Sequence, residues 1–237
     1  MKRLLLLAAL LSFATQPARA DNPVVRFTTP LGSFDVELCA ELSAACPGVA
    51  PNTVANFLRY VDEGRYPATT FIHRSASDPV VIQGGGYWVE VVDEEKDEYE
   101  LHVVEAFPPI ALEDTAPLSN VRGTIAMART LDPNSATSQW YVNVQDNLFL
   151  DGDYAVFGVL LDGIEAVDAI AAVQTWPFAP PFNQLPLIDY PGSPTSVLDY
   201  LVFVDVERVP EPAAGAGALA AAAGFAGLAR RRSRAQR

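Results

Sequence analysis

The run Gly123-Thr124-Ile125-Ala126-Met127-Ala128-Arg129 is followed, after a short polar connection, by Ser138-Gln139-Trp140-Tyr141-Val142-Asn143-Val144. Both runs are short and apolar and are bounded by turn-forming residues, as strands are. Thr69–His73, Val80–Gln83, Tyr99–Val104 and Ala155–Val159 read the same way. Near the start, Val25, Phe27 and Thr29 alternate with Arg26 and Thr28; beyond the turn Thr29-Pro30-Leu31-Gly32, Phe34, Val36 and Leu38 alternate with Asp35 and Glu37. This predicts a β-hairpin with one buried face. Leu198–Glu207 reads as the last strand. Two helices interrupt the strands. Pro51 suits the first turn of one, Val54, Phe57, Leu58 and Val61 form its apolar face, and Gly64 suits its end. The other covers about Ile164–Val173. Many short strands without a βαβ rhythm point to a mainly β fold, an antiparallel barrel or sandwich with helices over its open ends. Residues 174–197 are rich in proline and lack periodicity, so a long loop inserted in the domain is expected there.

Composition narrows the function. Apolar residues make up 50% of the 237 and charged ones 19%, which excludes a disordered chain. The net charge is −13, yet both ends are basic; between Asp21 and Arg208, 28 acidic residues face eight basic ones, leaving −20 on the body. Such a body repels phosphate backbones, so no nucleic-acid partner is expected. There are two histidines, His73 and His102, and no Cys/His cluster with zinc spacing. No Gly-x-Ser-x-Gly is present, and no Lys-Ser/Thr follows Gln83-Gly84-Gly85-Gly86. The acidic run 93–98 and Asp151-Gly152-Asp153 read as solvated turns. Neither a metal nor a cofactor is expected.

The ends read as addresses. Lys2 and Arg3 precede the apolar run Leu4–Phe13, and Ala18-Arg19-Ala20 follows. This predicts a secretory signal over residues 1–20, since ten apolar residues are too few to span a bilayer. Residues 209–237 form a tail. Pro210-Glu211-Pro212 leads into an Ala/Gly-rich run, Ala213–Ala229, and then an arginine cluster. That order resembles the PEP-type sorting tail recognised by exosortases. The resemblance implies a Gram-negative bacterium, transient inner-membrane contact through residues 213–229, an exosortase-like processing partner, and release to the periplasm, outer membrane or cell surface. Export permits a disulfide between Cys39 and Cys46, which is favoured over two free thiols.

Phe71-Ile72-His73-Arg74, Val80-Val81-Ile82-Gln83-Gly84-Gly85-Gly86, the two opening runs and Phe149-Leu150-Asp151-Gly152, in this order, resemble the cyclophilin-type peptidyl-prolyl isomerases. The resemblance covers about Val24–Val173 and resumes in the last strand. It implies an eight-stranded antiparallel closed β-barrel capped by two helices, occupying residues 21–208, acting as a monomer on proline-containing polypeptides. It also implies roles. Arg74 matches the catalytic arginine, and Gln83 the glutamine that contacts substrate backbone. Ala128 and Arg129 match the stretch that pairs with the peptide main chain, and Gln139 lies beside the groove. Tyr141, Phe149 and Leu150 match walls of the proline pocket, and Tyr154 its rim. His73 is out of phase with Arg74 and is expected to be structural.

Departures from the family pattern are visible. Val80 and Val81 stand where the family has Phe and Met against the proline ring and so match substrate-binding positions, Trp140 and Tyr141 stand where two Phe are common, and Phe149 stands where cyclosporin-sensitive members carry Trp. Arg74 to Gln83 is one residue longer than usual. A shallower and more polar pocket is expected. A binding module with little turnover, or a surface structural protein, are the alternatives to an isomerase that serves exported proteins.

Overall fold

The computed structural model of the protein describes residues 22–78, 80–93, 98–192 and 196–210; the expected signal, the Ala213–Ala229 run and the arginine cluster lie outside them. Strands β1 (Val24–Thr29) and β2 (Gly32–Leu38) form the hairpin that the alternation predicted, with Val25 opposite Val36 and Phe27 opposite Phe34. All four side chains are buried, and the two phenyl rings stack at 4.7 Å. Cys39 and Cys46, just beyond β2, are joined by a disulfide and are fully buried.

Helix α1 (Pro51–Asp62) begins at its proline and turns Val54, Phe57 and Leu58 into the core. Its N-cap, Ala50, has no side chain able to cap it. Glu113, distant in sequence, supplies the cap. One carboxylate oxygen accepts the Asn52 N–H at 3.1 Å, and the other accepts the Thr53 N–H at 2.6 Å and the Thr53 hydroxyl at 2.5 Å. A carboxylate there satisfies orphan donors and complements the helix dipole.

The chain continues through β3 (Arg74–Ser77), β4 (Val80–Gly84), β5 (Tyr87–Asp93), β6 (Glu98–Val103), β7 (Thr124–Met127), β8 (Trp140–Asn143), β9 (Val156–Asp162), α2 (Ile164–Ala171), β10 (Thr175–Trp176), β11 (Leu185–Pro186) and β12 (Asp205–Arg208). Eight strands form one antiparallel sheet in the order β12-β1-β2-β9-β7-β8-β4-β3; β5–β6 and β10–β11 form separate pairs. The inner face carries the core: Phe27, Phe34, Ile82, Ile125, Trp140, Val142 and Phe157, together with Phe57 of α1 and Val167 and Ile170 of α2. No described helix is long and apolar enough to cross a membrane.

The structure corrects several expectations. The sheet is an open half-barrel rather than a closed one. Its end strands, β3 and β12, share no ladder, and only the segments leading into them meet, through Ile72 N–H to the Val202 carbonyl and Val204 N–H to the Thr70 carbonyl. Thr69–His73 is not a strand. Thr70 and Phe71 make single bridges, to Trp88 and Phe203, and the ladder starts at Arg74. This segment serves two clusters in turn, Phe71 entering a satellite cluster and Ile72 the main core, so it runs between layers instead of along one. Leu198–Tyr200 is a 3₁₀ turn, and regular pairing begins only at Asp205. Strand β5 was not foreseen, because its exposed Val91 and Val92 blur the polar/apolar alternation. Residues 174–197 are not a bare loop: they carry β10 and β11 and bury Leu185 and Leu187.

Candidate active site

Strand register builds the site. Arg74 pairs with Gln83 across β3–β4, Gln83 with Tyr141 across β4–β8, and Tyr141 with Ala126 across β8–β7. Residues directly opposite in a sheet point to the same side. One row across four strands therefore points away from the core and mixes a guanidinium, a carboxamide, an aromatic ring and a methyl group. Val81 and Ala128, two residues along β4 and just past β7, keep the same phase. Leu150 and Tyr154 complete the wall. Together Arg74, Val81, Gln83, Ala128, Arg129, Tyr141, Leu150 and Tyr154 enclose a recess of about 200 Å³. A neighbouring recess of about 190 Å³ shares Gln83, Ala128 and Arg129 with it and adds Gln139, Ser135 and Thr137.

Two of the expected residues lie elsewhere. Val80 is one residue out of phase with Val81 and does not line the recess. Its N–H and carbonyl are instead clamped by Asn147, at 3.2 and 3.1 Å. Phe149 is 65% exposed in the 3₁₀ turn Leu148–Leu150, whereas Leu150 is the turn residue that faces inward.

Hydrogen bonds fix the polar groups. Gln83 Oε1 accepts from Arg74 Nη1 at 3.4 Å, and Gln83 Nε2 donates to Gln139 Oε1 at 2.9 Å. Arg129 donates to the Asp153 carbonyl at 2.6 Å and lies 4.6 Å from the centre of the Tyr154 ring, so it holds the rim in place. The Ala128 N–H is committed to the Gln139 carbonyl at 2.9 Å. Tyr141 does not add polarity to the recess as expected. Its hydroxyl donates to Asn120 Oδ1 at 2.7 Å, inside a buried network with Asn143 and Thr124, and burial raises its pKa further above the usual phenol value. His73 lies under the row rather than in it. It is 3% exposed, and burial pushes its pKa down to about 3. A neutral ring packed edge-on against Tyr87 is a structural element, not an acid or base.

The sharp turn after β4 lets the row form. Gly85 has φ +74°, and a Cβ there would sit 2.6 Å from the Ser138 carbonyl oxygen; a Cβ on Gly84 would meet the Trp140 ring at 2.7 Å. Only glycine permits both the conformation and the contact.

The sequence reading missed two groups of residues. Asn120 and Asn147, which pin Tyr141 and β4, carry no motif. Gln184, in the inserted segment, donates nothing to any pattern but reaches Arg74. A third grouping lies away from the recess, where Glu90, Glu100 and His102 bring ligand atoms within 4.8 Å of one another on β5–β6. They meet by cross-strand pairing, Glu90 with Glu100 and Trp88 with His102, which a search for contiguous spacing does not detect.

The family model for cyclophilin type peptidyl-prolyl cis-trans isomerases matches residues 24–189. The chain belongs to that family. As a cyclophilin it is 39% identical over 159 residues to a peptidyl-prolyl cis-trans isomerase of Acinetobacter baylyi, covering 65% of this chain and 74% of the relative. It is 36% identical over 172 residues to peptidyl-prolyl cis-trans isomerase A of Dickeya dadantii, covering 70% and 80%. Isomerase B of Escherichia coli is 42% identical over 134 residues, 53% of this chain and 74% of that one. A cyclophilin of Cryptosporidium parvum, crystallised in the presence of the dipeptide Ala-Pro, superposes with a TM-score of 0.55 at 21% identity; the match covers 79% of this chain and 99% of that chain. That likeness supports the cyclophilin fold of the eight-stranded sheet and its two helices.

Proposed function

We propose that this cyclophilin, which is a peptidyl-prolyl cis-trans isomerase by its family and its relatives, works as a monomer with Arg74 as its transition-state donor. The observation that carries this is the register row Arg74–Gln83–Tyr141–Ala126, which sets a guanidinium at the edge of a recess whose walls are apolar at Val81, Tyr141 and Leu150 and polar at Gln83 and Arg129. Rotation about an X–Pro bond breaks no covalent bond; its barrier, ~18–20 kcal/mol for a peptide bond, is largely lost amide resonance. In the twisted transition state the proline nitrogen becomes pyramidal and gains a lone pair that the planar amide does not offer. A donor placed there binds the transition state more strongly than the ground state. Arginine suits this, being permanently protonated and a rigid fork. Val81, Tyr141 and Leu150 would hold the proline ring while the preceding carbonyl swings, and Gln83 and Gln139 would engage substrate backbone. Exchange spectroscopy on an Ala-Pro peptide tests the reading: cross-peaks between cis and trans resonances should appear with catalytic amounts of residues 21–208. Binding without exchange would favour a holding module.

We further propose that the domain acts on proline-containing chains outside the cytoplasm of a Gram-negative bacterium. Support comes from the signal-like residues 1–20, from the Pro-Glu-Pro, apolar run and arginine order of the tail, and from the Cys39–Cys46 disulfide, which suits an oxidising compartment. Arginines after the 213–229 run would stay on the cytoplasmic side until an exosortase-like enzyme cuts near Pro210-Glu211-Pro212. Mass spectrometry of the mature chain decides this. A species beginning at Asp21 and ending before Arg230 supports sorting; one ending at Arg237 in membrane fractions refutes it.

A further inference from the structure

We infer that Gln184, in the inserted segment, is a positioning residue for Arg74; the inference rests on the isomerase reading above. Arg74 Nε donates to Gln184 Oε1 at 3.1 Å across 110 positions of sequence. The backbone makes a second link, because the Ser75 N–H donates to the Gln184 carbonyl at 3.0 Å. Gln184 thus grips β3 at two consecutive residues, on the edge that no other strand of the eight-stranded sheet covers.

The grip is itself anchored. Leu185 and Leu187, directly after Gln184, are buried in a cluster with Phe71, Val89, Leu198 and Leu201, and Phe182 packs against it. The Leu187 N–H donates to the Gln174 carbonyl at 3.1 Å and the Ile188 N–H to the Tyr200 carbonyl at 2.8 Å. The carboxamide therefore projects from a packed segment, not a free loop.

The effect on the guanidinium is directional. A guanidinium has five N–H donors in a fixed plane. Gln184 takes the Nε–H and Gln83 an Nη1–H, and two contacts on one planar fork fix its rotation. Nη2 is left without a protein acceptor among the described residues, free to face a peptide in the recess. Without Gln184 the side chain keeps only the longer 3.4 Å contact to Gln83 and samples more rotamers. A donor that must be recaptured at each turnover stabilises the transition state less, while ground-state binding by the apolar wall is unaffected. Loss should therefore appear in kcat and not in KM.

Gln184→Met keeps length and the main-chain bond to Ser75 but removes the acceptor. The expected result on a proline peptide is a roughly tenfold fall in kcat with KM within twofold of wild type. Gln184→Glu, which restores an acceptor, should recover most of that loss. In an Arg74→Ala background, Gln184→Met should have no further effect, because the group it positions is gone. Three results would overturn the inference: kcat of Gln184→Met within twofold of wild type, an equal fold loss in both backgrounds, or a rise in KM alone, which would make Gln184 a wall of the groove. Wild type and Arg74→Ala both at background would instead bring down the isomerase reading, and this inference with it.

Discussion

The phenol of Tyr141 donates to Asn120 Oδ1 at 2.7 Å while its ring walls the recess. One side chain thus divides its work, the ring lining the recess and the hydroxyl tied to the scaffold. Asn120 is held in turn by Asp151, which accepts its N–H at 2.7 Å and its amide at 2.9 Å. Tyr141→Phe should therefore cost stability, about 1 kcal/mol for a net buried hydrogen bond, and leave turnover near wild type. Urea unfolding and exchange kinetics on the same samples separate the two. A tenfold loss of turnover would place the hydroxyl in the chemistry.

Arg74→Ala should lower kcat/KM by about 10²–10³, the usual loss for one transition-state donor. Arg74→Lys should remain impaired, because an ammonium cannot hold Gln184 and Gln83 and still present a further coplanar donor. Arg74 is half-buried at a sheet edge, so circular dichroism should be unchanged. Activity persisting in the alanine variant would remove Arg74 from the mechanism.

Stability should fall on acidification before the carboxylates titrate. His73 is neutral in the fold, with its pKa pushed from 6.5 down to about 3. The unfolded chain binds the proton first, so the contribution is complete above pH 6.5 and is lost progressively as pH falls toward 3. Between pH 8 and pH 5 this amounts to about 2 kcal/mol. His73→Gln should flatten that part of the profile in denaturant titrations. An unchanged slope would show that the ring is accessible.

The cap on α1 is half-buried, with Thr53 fully buried beneath it. Glu113→Ala leaves the Asn52 and Thr53 N–H groups without their acceptor and should destabilise the fold by about 1–2 kcal/mol, with activity retained by the folded fraction. Thermal melts at neutral pH check this; a Tm equal to wild type would mean that water replaces the carboxylate at no cost.

Reducing the disulfide tests the loop after β2. Cys39→Ser with Cys46→Ser opens a short cross-link and should cost about 2 kcal/mol. Chemical unfolding with and without reductant reads this directly; no difference would make the bond structurally idle.

What was legible in the sequence follows from how far apart the cooperating residues are. The β1–β2 hairpin and α1 rest on local periodicity and local turn chemistry, and both stand where the pattern put them. Gln83 and Tyr141 fall in runs that read as strands and Arg74 follows the expected Thr69–His73, but the roles of all three rest on the family resemblance and not on strand phase. Val80 shows the limit of that route: the resemblance does not say which side of a strand a residue takes, and Val80 lies out of phase with Val81. Glu113 under α1, Asn120 behind Tyr141 and Gln184 beside Arg74 could not be read, since each meets its partner only after the chain has folded. Leu198–Tyr200 shows the opposite limit, an apolar run with strand-like composition that tertiary packing bends into a turn.

β1 lies between β2, its immediate successor, and β12, the last of the described strands. The first of the described strands to be made is thus the last to be completed. A chain interrupted anywhere before Asp205 exposes the donors and acceptors of β1 as an adhesive border, together with the apolar face that Val202, Val204 and Val206 would have covered. The ring of contacts shuts with Arg208 clasping Asp62 at 2.6 Å and the Val209 N–H on the Val24 carbonyl at 2.9 Å. Length itself becomes the condition for a quiet surface: synthesis must reach residue 209 before the described domain ceases to be sticky.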